Sequence, residues 1–179
     1  VLDAAAAASV ARLAGASPRS IAQGLAAYTA AGHRGAVIHE HSGISFIDNS
    51  KATNPHAADA ALKGLNSVVW IAGGQLKGAE VDGLVAKHAA QIKAAVVLGA
   101  DRQEIAQALA EHAPHAPVDV IESNDPAAAM NAAVDAALQH AEAGDTVLLA
   151  PAAASLDMYT GMAQRGDVFA AAARELTRD

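Results

Sequence analysis

Cysteine is absent from the 179 residues, which excludes a disulfide framework, a thiolate metal site and a cysteine nucleophile, and is compatible with a reducing cytosol. Aromatics are scarce, with Trp 1, Tyr 2 and Phe 2, so there is little from which to build base-stacking platforms for nucleic acid. Positive charge is short as well. The 12 Lys and Arg stand against 19 Asp and Glu, for a formal net charge of -7, whereas a general nucleic-acid binder needs a basic face to displace counterions. There is no charged leader and no long uninterrupted apolar span, so neither a signal peptide nor a membrane helix is expected. The chain opens at Val1 rather than Met, which reads as part of something longer. What is abundant is alanine, with Val, Ile and Leu; these favour helices packed closely on a Val-rich sheet, in one domain of ordinary size with a fragment of a second.

Asp3 to Ala14 reads as an Ala-rich helix closed by Gly15, and Ser17-Pro18 opens a second helix to about Ala27. Two helices in a row do not begin an α/β unit. Residues 1–32 are therefore expected to be the tail of a preceding domain, with the boundary in the glycine-punctuated Ala30 to Gly35 connector and the main domain over 33–179. From Val37 the pattern changes. Val37-Ile38-His39 and Ile44 to Ile47 flank His41-Ser42-Gly43, a hairpin signal. Helices are then expected over Pro55–Leu65, Glu80–Gln91, Asp101–Glu111, Asp125–Ala143 and Asp167–Leu176, alternating with strands over Ser67–Ala72, Ala94–Leu98, Val118–Ile121 and Thr146–Ala150. Continuous apolar strands alternating with amphipathic helices predict a Rossmann-like α/β fold, a mostly parallel sheet covered on both faces.

Loops after strands in such a sheet gather at one edge, where ligands sit. Asp48 to Asn54 supplies Ser50, Lys51 and Thr53; Gly73 to Lys77 places a lysine on a Gly-Gly turn that lets backbone approach a ligand; Pro151 to Asp157 supplies Ser155 and Asp157. Each loop alone reads equally as a solvated turn with capping residues. Their conjunction, two lysines with hydroxyls, suits a small dicarboxylate. Gly73-Gly74-Gln75-Leu76-Lys77-Gly78 is neither a phosphate loop nor a dinucleotide fingerprint. His39 and His41 share a strand face but lack a third metal ligand, so no metal site is assigned. His112 and His115 read as exposed turn residues, Trp70 as core, Asp101 and Asp125 as helix caps, and Arg34 as either a connector charge or a phosphate clamp.

Asn49-Ser50-Lys51-Ala52-Thr53-Asn54, Trp70 to Gly78 and Leu148 to Asp157, with Arg165-Gly166 following, resemble in order and spacing the D-glutamate-adding branch of the Mur ligase family. The resemblance covers essentially the whole chain. It implies the third of three domains, the one that brings in the amino acid, preceded by the last helices of a central ATPase domain whose phosphate loop and Mg²⁺ ligands lie before Val1. The implied reaction is ATP-dependent amide ligation: UDP-N-acetylmuramoyl-L-alanine becomes an acyl phosphate that the D-glutamate amine attacks, in cytoplasmic peptidoglycan precursor synthesis by a monomer.

By the same resemblance Thr53 and Lys77 contact the α-carboxylate and Ser155 with the Leu156 backbone the side-chain carboxylate. Met162 lines the D-glutamate pocket, Lys51 is a catalytic cation near the reacting end, and His33, Arg34, Asp48 and Asn49 face ATP. The chain departs from the family pattern at several places. Asp48-Asn49 stands where Asn-Asp or Asp-Asp is usual, and one step along a strand reverses the face. Gln75 replaces a common Asp, Met162 an aromatic residue, Ala153 a frequent Cys, and Asp3 an Asn. Two rivals remain at this stage: a related ligase adding another amino acid, and a non-catalytic α/β module that binds one.

Overall fold

The computed structural model describes residues 2–28 and 32–178, so Val1 and the Ala30-Ala31 part of the connector lie outside the description. The chain divides into two compact units, 1–31 and 32–179. In the first, α1 (Leu2–Leu13) and α2 (Pro18–Ala27) form a helical hairpin. Ser17 caps α2 by accepting the Ser20 N–H at 3.0 Å, with Pro18 in the first turn where its missing N–H costs nothing.

The second unit is built on a six-stranded sheet of order β1-β2-β6-β3-β4-β5. Its strands are β1 (Ala36–His41), β2 (Ile44–Asp48), β3 (Val68–Gly73), β4 (Ile92–Leu98), β5 (Val118–Val120) and β6 (Thr146–Leu149). All neighbours pair in parallel except the β1–β2 hairpin. Its turn residues Ser42 and Gly43 both have positive φ, 50° and 80°, as a tight two-residue turn demands. The other helices are α3 (Pro55–Leu62), α4 (Asp82–His88), α5 (Arg102–His112), α6 (Pro126–His140) and α7 (Met162–Leu176).

Every residue of β3 is buried, and strand alternation deals its side chains to two cores. Val68, Trp70 and Ala72 pack against α3, α4 and α5; Val69 and Ile71 pack against α6 and α7. Trp70 is core, as read, and its indole N–H donates to Ala150 O at 2.8 Å, so its one polar atom is paired.

Three expectations need correction. The final helix begins at Met162, not Asp167, because Gly166 packs tightly where a turn-former would otherwise break it. The helix expected over 80–91 is only Asp82–His88 plus a 3₁₀ turn, Ala89–Gln91. Asp101 does not cap α5; its carboxylate accepts the Leu76 N–H across the loops at 2.7 Å. Asp125 does cap α6, accepting Ala128 N–H at 2.8 Å.

α3 is tied to α4 through Asp59, which pairs with Lys87 and lies 2.7 Å from His88 Nε2. The Lys87 ammonium, then His88, hold the Asp59 carboxyl down to about 2 from its ordinary 3.8. A depressed carboxyl stabilises the fold fully above its unfolded value and loses that contribution as pH falls through the folded one. Urea midpoints should therefore drop between pH 3.8 and about 2, and Asp59→Asn should flatten that limb. An unchanged acid limb in the variant would remove Asp59 from the acid response.

Candidate ligand-binding edge of the sheet

β2, β6 and β3 are consecutive in the sheet and parallel, so their carboxyl ends deliver three loops to one edge. After β3 the chain leaves toward α4 on one face; after β6 it leaves toward α7 on the other. Connections that diverge to opposite faces open a crevice, the usual ligand position in this architecture.

The crevice floor is closed by backbone. Gln75 and Ala154 exchange both N–H···O bonds at 2.8 Å, Gly73 N–H donates to Pro151 O at 2.9 Å, and Gly74 N–H to Leu98 O at 3.1 Å. These contacts explain the glycine pair. A Cβ on Gly73 would sit 1.8 Å from Leu98 O and one on Gly74 2.0 Å from Ala154 O. The glycines therefore let one loop approach its neighbours, where the sequence reading had assigned them to ligand approach.

Beneath the floor lies a side chain the sequence reading did not single out as functional. Arg165, 2 % exposed, donates from Nε to Ser50 Oγ (3.0 Å), from one terminal nitrogen to Gly73 O (3.2 Å) and Ala153 O (3.1 Å), and from the other to Ser50 O (2.9 Å). One guanidinium thus joins the loops after β2, β3 and β6, using the rigid fork that lysine lacks. Its partners are carbonyls and a hydroxyl, so burial pushes its pKa down to about 10, opposed by nearby Tyr159, Asp157 and Asp48. It remains a cation at neutral pH, and a cation under this edge favours an anion above it. Its signal in the sequence is its place in the Arg165-Gly166 pair of the family resemblance.

Tyr159 and Ser155 complete the β6 loop. Tyr159 donates to Pro126 O at 3.2 Å and burial pushes its hydroxyl up to about 12, so it is a neutral donor. Ser155 is buried, and its carbonyl accepts Tyr159 N–H at 2.9 Å while Leu156 stands exposed. In the β2 loop, Asn49 N–H extends the ladder to Leu149 O at 2.8 Å, and Ala52 N–H and Thr53 N–H turn back to Asn49 O and Lys51 O. Lys51 and Thr53 are half-buried; Lys77 is exposed at a φ of 57°, ahead of Gly78. Neither lysine has an ion-pair partner among the described residues. Met162 is half-buried at the start of α7, its carbonyl accepting Ser50 Oγ–H at 2.7 Å.

Of the residues assigned to the nucleotide side, His33 and Asn49 are half-buried and Arg34 is exposed. Asp48 is 1 % exposed. Its Oδ1 accepts Ser50 N–H at 2.9 Å and its Oδ2 lies 2.7 Å from His33 Nδ1. Asp157 Oδ2 accepts Ala100 N–H at 2.8 Å. Asp48 is fully engaged by Ser50 and His33, whereas Asp157 keeps a buried Oδ1 without a hydrogen-bond partner among the described residues. Among the described residues the metal-competent cluster is Asp82, Glu111 and His112, at the α4–α5 surface and exposed or half-buried. His39 bonds Thr177 Oγ1 at 2.7 Å instead.

Fold and edge together define a Rossmann-like domain whose loops after three adjacent parallel strands are tied together by one buried guanidinium. The chain belongs to the Mur ligase family: the profile of the Mur ligase, glutamate ligase domain, matches residues 33–153. It is 63% identical over 172 residues to a UDP-N-acetylmuramoylalanine–D-glutamate ligase of Corynebacterium efficiens, covering 96% of this chain and 36% of that protein. The enzyme of the same name from Streptomyces coelicolor is 49% identical, with 98% of this chain and 37% of that protein covered. The chain thus spans little more than a third of the length of these relatives. Among solved structures, MurF of Acinetobacter baumannii superposes with a TM-score of 0.63 at 18% identity, over 94% of this chain and 37% of that one. Mycobacterium tuberculosis folylpolyglutamate synthase complexed with ADP gives 0.56 at 22%, over 92% and 36%. At those identities the likeness is one of fold.

Proposed function

We propose that this chain is the amino-acid-presenting part of an ATP-dependent ligase that joins D-glutamate to UDP-N-acetylmuramoyl-L-alanine in peptidoglycan precursor synthesis. What supports the reading is that Lys51, Thr53, Lys77 and Ser155 stand on the loops after three adjacent parallel strands, tied together by Arg165. Residues 1–32 belong to the end of the central ATPase domain in this proposal, and 33–179 to the amino-acid-binding domain. No helix among the described residues is long and apolar enough to cross a membrane; the proposal takes the enzyme to be cytoplasmic and monomeric.

In this reading Lys77 and Thr53 hold the α-carboxylate of D-glutamate, and Ser155 with the Leu156 N–H holds the side-chain carboxylate. Met162 flanks the substrate, and Lys51 stands by the reacting end. The amine is thereby aimed at an acyl phosphate, and catalysis on this side is positioning plus cationic stabilisation of developing charge. His33, Arg34 and Asn49 face the nucleotide. ATP supplies the activating phosphoryl group and Mg²⁺ its charge neutralisation; the phosphate loop and metal ligands belong to the remainder of the longer protein.

The test is ADP release by that longer protein with ATP, Mg²⁺ and UDP-N-acetylmuramoyl-L-alanine, comparing D-glutamate with L-glutamate, L-lysine and meso-diaminopimelate. Turnover with D-glutamate alone is expected. Turnover with another amino acid would transfer the chain to a sister ligase, and micromolar D-glutamate binding by the 179 residues with no turnover in any longer form would make it a binding module. Lys77→Ala should remove one charge-assisted carboxylate contact of about 1.5–3 kcal/mol, raising the KM for the amino acid roughly 10- to 100-fold. A KM unmoved by that change would take Lys77 out of the site.

A further inference from the structure

His33 lies in an unusual setting. Its backbone adopts a left-handed φ of 63°, a conformation that a residue with a side chain holds only when its surroundings impose it. The impositions are visible. Lys51 N–H donates to His33 O at 3.1 Å and Gly35 N–H to Asp48 O at 2.8 Å, so the segment is stitched along the β2 loop. The imidazole is gripped from two sides. Asp48 Oδ2 lies 2.7 Å from Nδ1, and Gly166 of α7 leaves the space the ring fills: a Cβ there would sit 2.1 Å from Nδ1 and 2.6 Å from Asp48 Oδ2.

Asp48 already accepts Ser50 N–H on Oδ1, and a carboxylate offers only acceptors. The hydrogen on the short contact therefore belongs to His33 Nδ1. In a neutral imidazole the second nitrogen is then a lone-pair acceptor. His33 Nε2 is 3.9 Å from Asp167 Oδ1, a carboxylate 76% exposed, too far for a hydrogen bond.

We propose that Asp48 is a positioning residue: with Gly166 it locks His33 in the Nδ1–H tautomer, so that Nε2 is the atom offered to the ligand. This changes what the Asp48-Asn49 order means. The carboxylate one place earlier in the strand is turned inward to orient an imidazole, and it acts on any ligand through His33, while Asn49 keeps the half-buried outward place. The tautomer lock follows from geometry alone; the ligand at Nε2 and the kinetic consequence rest on the proposed ligase reading, in which His33 faces the nucleotide.

The tautomer can be read directly from imidazole ¹⁵N shifts in long-range ¹H–¹⁵N correlation spectra of the 179-residue protein recorded at alkaline pH. The expected wild-type result is a protonated Nδ1 and a bare Nε2. Asp48→Ala should lose that state for a mixture in which Nε2–H is present, with the backbone amide spectrum otherwise retained. Gly166→Ala approaches from the other side: its methyl would meet both the ring and the Asp48 carboxylate, breaking their contact, and should lose the Nδ1–H state too. A wild-type His33 protonated at Nε2 with Nδ1 bare would overturn the proposal, as would an unchanged tautomer in both variants. In the longer enzyme Asp48→Ala is expected to cut kcat/KM by about tenfold, the lower range for losing a partner that orients an imidazole. A locked tautomer in a protein that ligates no amino acid would leave this pair standing and remove the ligase reading.

Discussion

Arg165→Ala is expected to lower the unfolding free energy by about 3–5 kcal/mol, because several buried acceptors lose their donor at about 1–3 kcal/mol each. The change strips donors from Ser50 Oγ, Ser50 O, Gly73 O and Ala153 O at once, and a buried acceptor left without its donor carries its own desolvation cost. Against a typical total of about 5–15 kcal/mol this is a large fraction. Arg165→Lys should recover only part of the loss, because a point ammonium with three donors cannot span three loops as a planar fork does. Urea titrations of the three proteins should order as Arg, Lys, Ala. In the longer protein, if it is the proposed ligase, activity at saturating substrate should fall further than the fraction unfolded explains, since the loops would lose their common anchor. An alanine variant within about 1 kcal/mol of wild type would show that the backbone bridge between Gln75 and Ala154 holds the loops without the guanidinium.

Gly74→Ala should be nearly as severe, by a different route. Its φ of 126° is a backbone conformation side chains rarely adopt, and the added methyl would meet Ala154 O at 2.0 Å. Strain of about 1–3 kcal/mol adds to the loss of the Gln75–Ala154 bridge, about 1 kcal/mol for each of its bonds. Gly78→Ala separates the two components: its φ is 79° but nothing lies within 4 Å of the added Cβ, so only the backbone strain, about 1–2 kcal/mol, should appear. Similar thermal shifts for the two variants would mean that close approach of the loops contributes nothing. If the bridge holds the crevice together, Gly74→Ala should also weaken D-glutamate binding while Gly78→Ala changes it much less.

Much of the fold could be read from one-dimensional pattern. Continuous apolar runs such as Val68 to Ala72 need burial on both faces, and alternation with amphipathic helices leaves a parallel sheet as the arrangement that supplies it. Caps were equally legible where they are local, as at Ser17 and Asp125. Asp101 failed for the converse reason. Its position before a helix is what a cap looks like, but its bond goes to Leu76, 25 residues earlier in the chain, and no local pattern encodes such a partner.

What the sequence determined by itself is therefore the set of elements, their alternation, and the residue types in the loops after β2, β3 and β6, because propensity, periodicity and capping act over a few residues. The family motif was also there to be read, since Ser50 to Asn54 and Gly73 to Gly78 are contiguous. Tertiary structure alone decided which groups those loops present. It inserted β6 between β2 and β3, and so made three loops from distant segments into neighbours. It turned Asp48 inward onto His33, spent the Gly73-Gly74 pair on loop approach, and drew Arg165 beneath them all. Those outcomes depend on separations of up to 115 residues, where close packing and the need to pair every buried polar group choose the partner.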